Sequence, residues 1–470
     1  MIHSEFQELI DEPGLRSQVS AEEMVGAALD RIREVDPTLN AFISVRWEEA
    51  LEEARRIDQS RTDGQSVGPL AGLPIAVKDN IDVAGTRATA GSLILADRIP
   101  GDDAEVVRRA RAAGAVVVGK TALHEFAYGV TTVNPHYGPC RNPWDPSRIP
   151  GGSSGGSGAA LGADACVLAL GTDTGGSVRI PAGLNGVTAL RPTFGAVSVR
   201  GTLPISASLD TVGPMARSAQ DVAALFSAIA GYDRSDPWAA DGPPAESLDH
   251  LEGRLKGIRI GVLADFLGDD VEPEIRGTVR RGAEVLSDLG ANLAEIEMPD
   301  AAKAGEQANR LIRAEALSIH LEELDSAPER FGEDVRRRLE LGREISGVEV
   351  ARGVAAMRAW RVEMMDEFDH VDLILTPTTS EGAPAIAGAE MIETTARLTR
   401  FTYPWSLAGL PAVSVPCGFD GAGMPVGMQL VAAPWRDDLL LSAAVAFQRQ
   451  TDWHRRRPDI ELKPATKKET

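Results

Sequence analysis

The sequence predicts one large α/β unit, and three observations predict it. Short apolar runs that read as buried strands alternate with amphipathic helical stretches from end to end of the 470 residues. Hydrophobic residues make up 43% and charged residues 25%, ordinary globular usage that excludes wholesale disorder, collagen and coiled coil. No break in composition marks a boundary. A length of 470 residues would allow two or three domains, but the expectation is a single domain over 1–470. It opens with an N-terminal helical region to about residue 60 and closes with a polar tail from about 459 to 470.

The elements follow in order. Residues 20–35 read as a helix, because Ser20 and Glu23 have the spacing of a capping box and Met24, Val25, Ala28 and Ile32 fall on one face. Residues 73–77 (LPIAV) are a fully apolar run, as a buried strand would be. Residues 106–113 read as a helix stopped by Gly114, with a strand at 116–118, and 166–170 (CVLAL) is another buried strand. Residues 218–230 form a helix with Val222, Leu225, Phe226 and Ile229 on one face and Gly231 as its stop. Residues 234–254, rich in proline and acids, are the most linker-like stretch. A strand at 258–263, a helix over about 273–289 and a strand at 293–297 follow, and 303–368 is almost continuously helical. Strands at 371–376 and 411–416 complete the pattern.

Charge narrows the partners. The formal net charge is −21, and an acidic surface repels phosphate backbones and anionic lipid, so neither nucleic acid nor membrane is expected as a partner. No apolar run has the roughly 18 residues of a spanning helix. The N-terminus lacks the apolar core of a signal peptide. Cys140, Cys166 and Cys417 are far apart, with no CxxC and no Cys/His cluster, so neither a disulfide framework nor a zinc site is read. A reduced, cytoplasmic, soluble protein is the expectation.

The chemistry concentrates at 151–177, GGSSGGSGAALGADACVLALGTDTGGS. Glycine fills nine of these 27 positions against 47 of 470 overall. Glycine permits positive φ and close backbone approach, so the stretch suggests a backbone that wraps a small anionic group with its N–H donors. A flexible linker is a poor alternative, because an apolar strand splits the stretch. Residues 114–121 (GAVVVGKT) match the P-loop expression, but the four inner residues 115–118 are strand formers where a cradle is required, which argues against ATP. Residues 151–155 (GGSSG) match the nucleophile elbow, but the proline-rich NPWDPSRIP before them cannot supply the central strand that motif needs. A Ser–His–Asp hydrolase would also need a later histidine, and His250, His320, His370 and His454 stand in unmarked settings. No dinucleotide fingerprint occurs in the stretch. What remains is serine chemistry with a lysine base, and Lys78 at the end of the 73–77 strand is the best candidate. Position alone would equally make Lys78 an ordinary strand-end lysine reaching solvent.

Residues 151–195, together with 71–85 (AGLPIAVKDNIDVAG), 134–150, 209–217, 373–377 and 409–430, closely resemble the amidase signature family. The matching blocks span about residues 20 to 455 in order. The resemblance implies the family's fold, a mixed central sheet covered by helices on both faces, and a Ser–cis-Ser–Lys triad. Ser177 would be the nucleophile, Ser153 the bridging serine with a cis peptide bond, and Lys78 the base. The oxyanion would sit among backbone N–H groups of Thr174, Gly175, Gly176 and Ser177, with no metal or organic cofactor. Around the triad, Asp173 and Arg179 are expected to fix the loop and Ser154 to support it. His124 and His136 are expected to be packed hydrogen-bonders, and the cysteines small core residues. Trp405 lines the pocket or packs, and some residues of 303–368 face the substrate funnel.

The expected function is a stand-alone amidase cleaving a C–N bond of a small non-peptide amide, carbamate or urea through a serine acyl-enzyme. A small-molecule amide would be its partner, and a homodimer is the state that analogy offers. The alternative is the amidase (A) subunit of a tRNA-dependent glutamine amidotransferase. Against that alternative, Ile180 stands where such subunits carry glutamine, and residues 201–204 differ from their usual segment.

Overall fold

The computed structural model describes residues 3–243, 253, 255–264, 271–388 and 390–460. Part of the linker-like stretch and all of the polar tail beyond residue 460 lie outside the described residues. Among the described residues there are thirteen strands: β1 Phe42–Val45, β2 Pro74–Lys78, β3 Val116–Thr121, β4 Val133–Asn134, β5 Gly138–Pro139, β6 Leu168–Asp173, β7 Thr188–Arg191, β8 Thr211–Ala216, β9 Arg259–Leu263, β10 Asn292–Ile296, β11 Leu373–Pro377, β12 Ala412–Phe419 and β13 Pro425–Ala432. Eleven of them build one mixed sheet in the order β1-β3-β2-β6-β8-β7-β12-β13-β11-β9-β10, and β4 and β5 make a small separate ribbon. The β3-β2-β6 and β11-β9-β10 stretches are parallel, and the strands between are antiparallel.

Successive side chains of a strand point to opposite faces, and the two main apolar clusters divide along that rule. In β2, Ile75 and Val77 enter one cluster while Ala76 enters the other; in β6, Leu168 and Leu170 part from Ala169 in the same way. Lys78 therefore shares the Ala76 face, which the helix Gly155–Gly162 covers through Ala159, Ala160 and Leu161.

Local signals hold where they are strong. The helix Ala21–Leu39 begins at Ser20 with both halves of the capping box formed, and Ala219–Ile229 begins at Ser218, whose side chain accepts from the Asp221 N–H. The helical stretch 303–368 is three helices, Ala301–Ser326, Glu333–Gly342 and Gly347–Phe368. The last is started by a second capping box, Ser346 with Glu349.

The glycine-rich stretch differs from expectation. Residues 155–162 are a buried helix rather than an anion-wrapping loop. A Cβ on Gly156 would lie 2.5 Å from the Ala122 backbone, and one on Gly162 would lie 2.9 Å from Pro143. These glycines let a helix press onto the sheet and its neighbours. Residues 116–121 of the P-loop match form β3, and the Lys120 side chain is fully buried against Asp79 at 3.0 Å.

Candidate active site

Three segments converge at the C-terminal ends of β2 and β6. Lys78 ends β2, Ser153 precedes the helix Gly155–Gly162, and Ser177 follows the turn after β6. The Lys78 Nζ donates to Ser153 Oγ at 2.7 Å and to Thr172 Oγ1 at 2.7 Å. Lys78 and Ser153 are 0% exposed and Ser177 is 6% exposed. The Gly152–Ser153 peptide bond is cis, the bond that the resemblance implied. Burial lowers Lys78 to about 7, against the opposing pull of Asp173 and Asp210. A lysine reaching solvent is thereby ruled out.

The loop carrying Ser177 is held from below. The Asp173 carboxylate accepts from Arg179 Nη2 and Arg191 Nη1, each at 3.0 Å, and all three side chains are fully buried. Burial alone would raise Asp173, but the two guanidinium groups and a backbone N–H outweigh it and leave the acid below its ordinary range. Asp173 also accepts from the Gly176 N–H at 2.7 Å and the Val178 N–H at 3.3 Å. Of the four N–H groups expected to meet an oxyanion, that of Gly176 is directed at the Asp173 carboxylate. Gly176 has φ +127°, and a Cβ there would collide with Thr402 Oγ1, so the turn admits only glycine. Ser154 takes its expected supporting place, its N–H donating to the Ser177 carbonyl at 3.1 Å and its hydroxyl to the Thr172 carbonyl at 3.2 Å.

Above Ser177 a pocket is lined by Tyr128, Thr174, Gly175, Arg313, Arg338 and Tyr403, among others. Arg313 comes from the helix Ala301–Ser326 and Arg338 from Glu333–Gly342, so part of the 303–368 region does face the site. Arg338 is set by Asp334 at 3.1 Å, the Met391 carbonyl and Thr395 Oγ1. His124 hydrogen-bonds Asp334 at 2.9 Å and Thr131 at 3.2 Å, and His136 hydrogen-bonds Glu125 at 3.1 Å, so both histidines are packed hydrogen-bonders. Trp405 is fully buried in the core, and Tyr403 takes the pocket position. The three cysteines are free and buried. Sequence reasoning missed Thr172, Asp210, Arg313 and Arg338. The run GTDTGGS contains Thr172 with nothing to mark it, and the arginines sit in helices where arginine is common.

With this geometry in place, likeness to known proteins decides the class. A family model described as Amidase matches residues 23–441. The chain belongs to the amidase family. Members hydrolyse carbon–nitrogen bonds other than peptide bonds, so this is a C–N hydrolase. The A subunit of glutamyl-tRNA(Gln) amidotransferase from Moorella thermoacetica is 40% identical, over 95% of this chain and 96% of the relative. The solved chain of a vestigial protein complex that reveals the evolutionary origins of an s-triazine catabolic enzyme matches with TM-score 0.89 and 38% identity, over 96% of this chain and 98% of that one. The A subunit of the Thermotoga maritima glutamyl-tRNA(Gln) amidotransferase matches with TM-score 0.80 and 34% identity, over 94% and 95%.

These relatives overturn two expectations. A self-sufficient hydrolase of small amides, carbamates or ureas, with no nucleic acid among its partners, does not fit a chain whose relatives, 36–40% identical over about 95% of its length, are named subunits of an enzyme of glutamyl-tRNA(Gln). Net charge speaks to direct contact with phosphate and not to membership of an assembly. Ile180, which had argued for the stand-alone reading, is fully buried in an apolar cluster with Val130, Ile149 and Leu184, so packing accounts for it. Among the described residues, no helix is long and apolar enough to cross a membrane.

Proposed function

We propose that this chain is the amidase subunit of a tRNA-dependent glutamine amidotransferase, releasing ammonia from glutamine in the cytoplasm for use by the assembly. Alongside the full-length likeness to the A subunits of such enzymes, one observation carries the reading: the pocket over Ser177 is lined by two arginines, Arg313 and Arg338, the latter held by Asp334. Arg313 has no ion-pair partner among the described residues. Such a pocket suits an amide whose other end is a carboxylate.

In this reading neutral Lys78 draws a proton from Ser153 as Ser153 takes one from Ser177. The Ser177 Oγ attacks the side-chain amide carbon, and the oxyanion is met by N–H groups of Thr174, Gly175 and Ser177. The relayed proton returns to the leaving nitrogen and ammonia departs. Water then hydrolyses the acyl-enzyme along the same relay. Each oxyanion donor contributes about 2.7–4 kcal/mol to such a step.

The test is co-purification followed by assay. The chain is expected to hold its other subunits, and the assembly to release ammonia from glutamine and amidate glutamyl-tRNA(Gln). Ser177→Ala is expected to abolish both glutamine-dependent activities while added ammonium chloride still supports amidation. An assembly that neither hydrolyses glutamine nor uses it for amidation would overturn the proposal.

A further inference from the structure

Asp210 is a buried acid that the mechanism above does not use. It lies at the start of β8, next to Thr211, and is 8% exposed. Its Oδ1 accepts from the Thr174 hydroxyl at 2.5 Å. Its Oδ2 accepts from the N–H groups of Ile205 at 2.9 Å and Ser206 at 3.1 Å. One carboxylate thus ties the loop before β8 to the residue whose N–H opens the proposed oxyanion site. The tie continues outward. The Ser206 hydroxyl donates to Glu315 at 2.6 Å, and the Ser208 hydroxyl and N–H donate to the same carboxylate at 2.7 and 3.2 Å. Glu315 stands on the helix Ala301–Ser326, which also supplies Asn309, Ile312 and Arg313 to the pocket. The pocket wall and the nucleophile loop are therefore joined by one continuous set of hydrogen bonds.

We propose that Asp210 is a positioning residue of the reaction: it fixes Thr174, and with it the oxyanion-facing backbone, and carries that restraint through Ser206 and Glu315 to the helix walling the substrate pocket. The inference rests on the proposed amidase chemistry at Ser177. The charged groups facing Asp210 are Glu315 from the helix, Lys78 from β2 and Arg191 from β7. Burial raises Asp210 to about 6 against the hydrogen bonds it accepts, so the group is ionised above that pH. In that form it favours the ammonium of Lys78. An asparagine loses the charge: its amide oxygen can still accept from the two backbone N–H groups, but its NH2 then faces Thr174, whose hydroxyl must turn from donor to acceptor, and a charge-assisted bond becomes a neutral one.

The experiment labels Ser177 with a fluorophosphonate and measures the second-order rate from pH 5 to 9, in wild type, Asp210→Asn and Thr174→Val. This readout places a phosphonyl oxygen in the oxyanion site and needs no glutamine, so it succeeds or fails separately from the glutaminase assay. Asp210→Asn is expected to label at least about tenfold more slowly, a fraction of the loss of a whole oxyanion donor, with kcat for glutamine falling alongside and KM within about twofold. Its acid limb is expected to move to lower pH, because removing the carboxylate no longer favours the Lys78 ammonium. Thr174→Val, which keeps the carboxylate, is expected to share the rate loss without the shift. A cooperatively folded Asp210→Asn that labels at the wild-type rate would overturn the proposal. So would a Thr174→Val protein with an undiminished rate, which keeps the question answerable if the asparagine variant does not fold.

Discussion

Lys78 ends β2 and Lys120 is the last residue but one of the neighbouring parallel strand β3, with Val77 beside Lys120 and Lys78 beside Thr121 in the register, and both side chains are fully buried. Burial lowers both. Their partners separate them. Lys120 has the Asp79 carboxylate at 3.0 Å, itself tied to the Thr89 N–H and hydroxyl. Lys78 meets two hydroxyls, Ser153 and Thr172, and among the described residues no carboxylate lies within ion-pair distance. A buried amine beside a carboxylate is half of a structural pair. The same amine among hydroxyls is a base, able to exist uncharged at neutral pH and already touching the group it would deprotonate.

The contrast breaks most sharply in activity. Lys78→Met is expected to lower kcat by about 10³-fold, within the range of a general base, while folding at least as well as wild type, since it removes a buried amine with no counter-ion. Steady-state kinetics and a thermal melt on one preparation check both halves. Lys120→Met is expected to do the reverse. It leaves Asp79 buried without its cation and costs about 3–5 kcal/mol of stability, measured by urea denaturation, while the folded fraction keeps its KM. The smallest effect sharpens the picture from the hydroxyl side. Thr172→Val removes one hydrogen bond from the Lys78 amine, worth about 1 kcal/mol, and is expected to slow turnover about five- to tenfold with little change in melting temperature.

The two lysines also mark what could be read in advance. Both stand at the ends of apolar runs, and one of them sits in a P-loop look-alike that the strand-forming residues 115–118 rightly disqualified. Their burial could not be read locally, because the helix Gly155–Gly162 and strand β6, which cover Lys78, lie some 75 to 95 residues downstream. Lys78 is marked as a candidate by its place at the end of an apolar run, whereas Ser153 and Ser177 rest on family resemblance and not on periodicity. The central strand β8 escaped notice because Pro214 lies inside it, opposite Leu170, where proline is ordinarily excluded. Gly156 shows the opposite failure: a residue read as freedom for the backbone is there because no side chain fits. The pocket arginines were invisible for a third reason, since three helices that read as one almost continuous helical stretch come together only through tertiary packing.

The most direct measurement is the pH dependence of kcat/KM for glutamine in the intact assembly, compared with fluorophosphonate labelling of Ser177. With Lys78 near 7, its neutral form is depleted below that pH, so both rates are expected to fall about tenfold per pH unit on the acid side and to level off above about pH 8. Rates that stay flat down to pH 5 would contradict a lysine base and with it the distinction between the two buried amines.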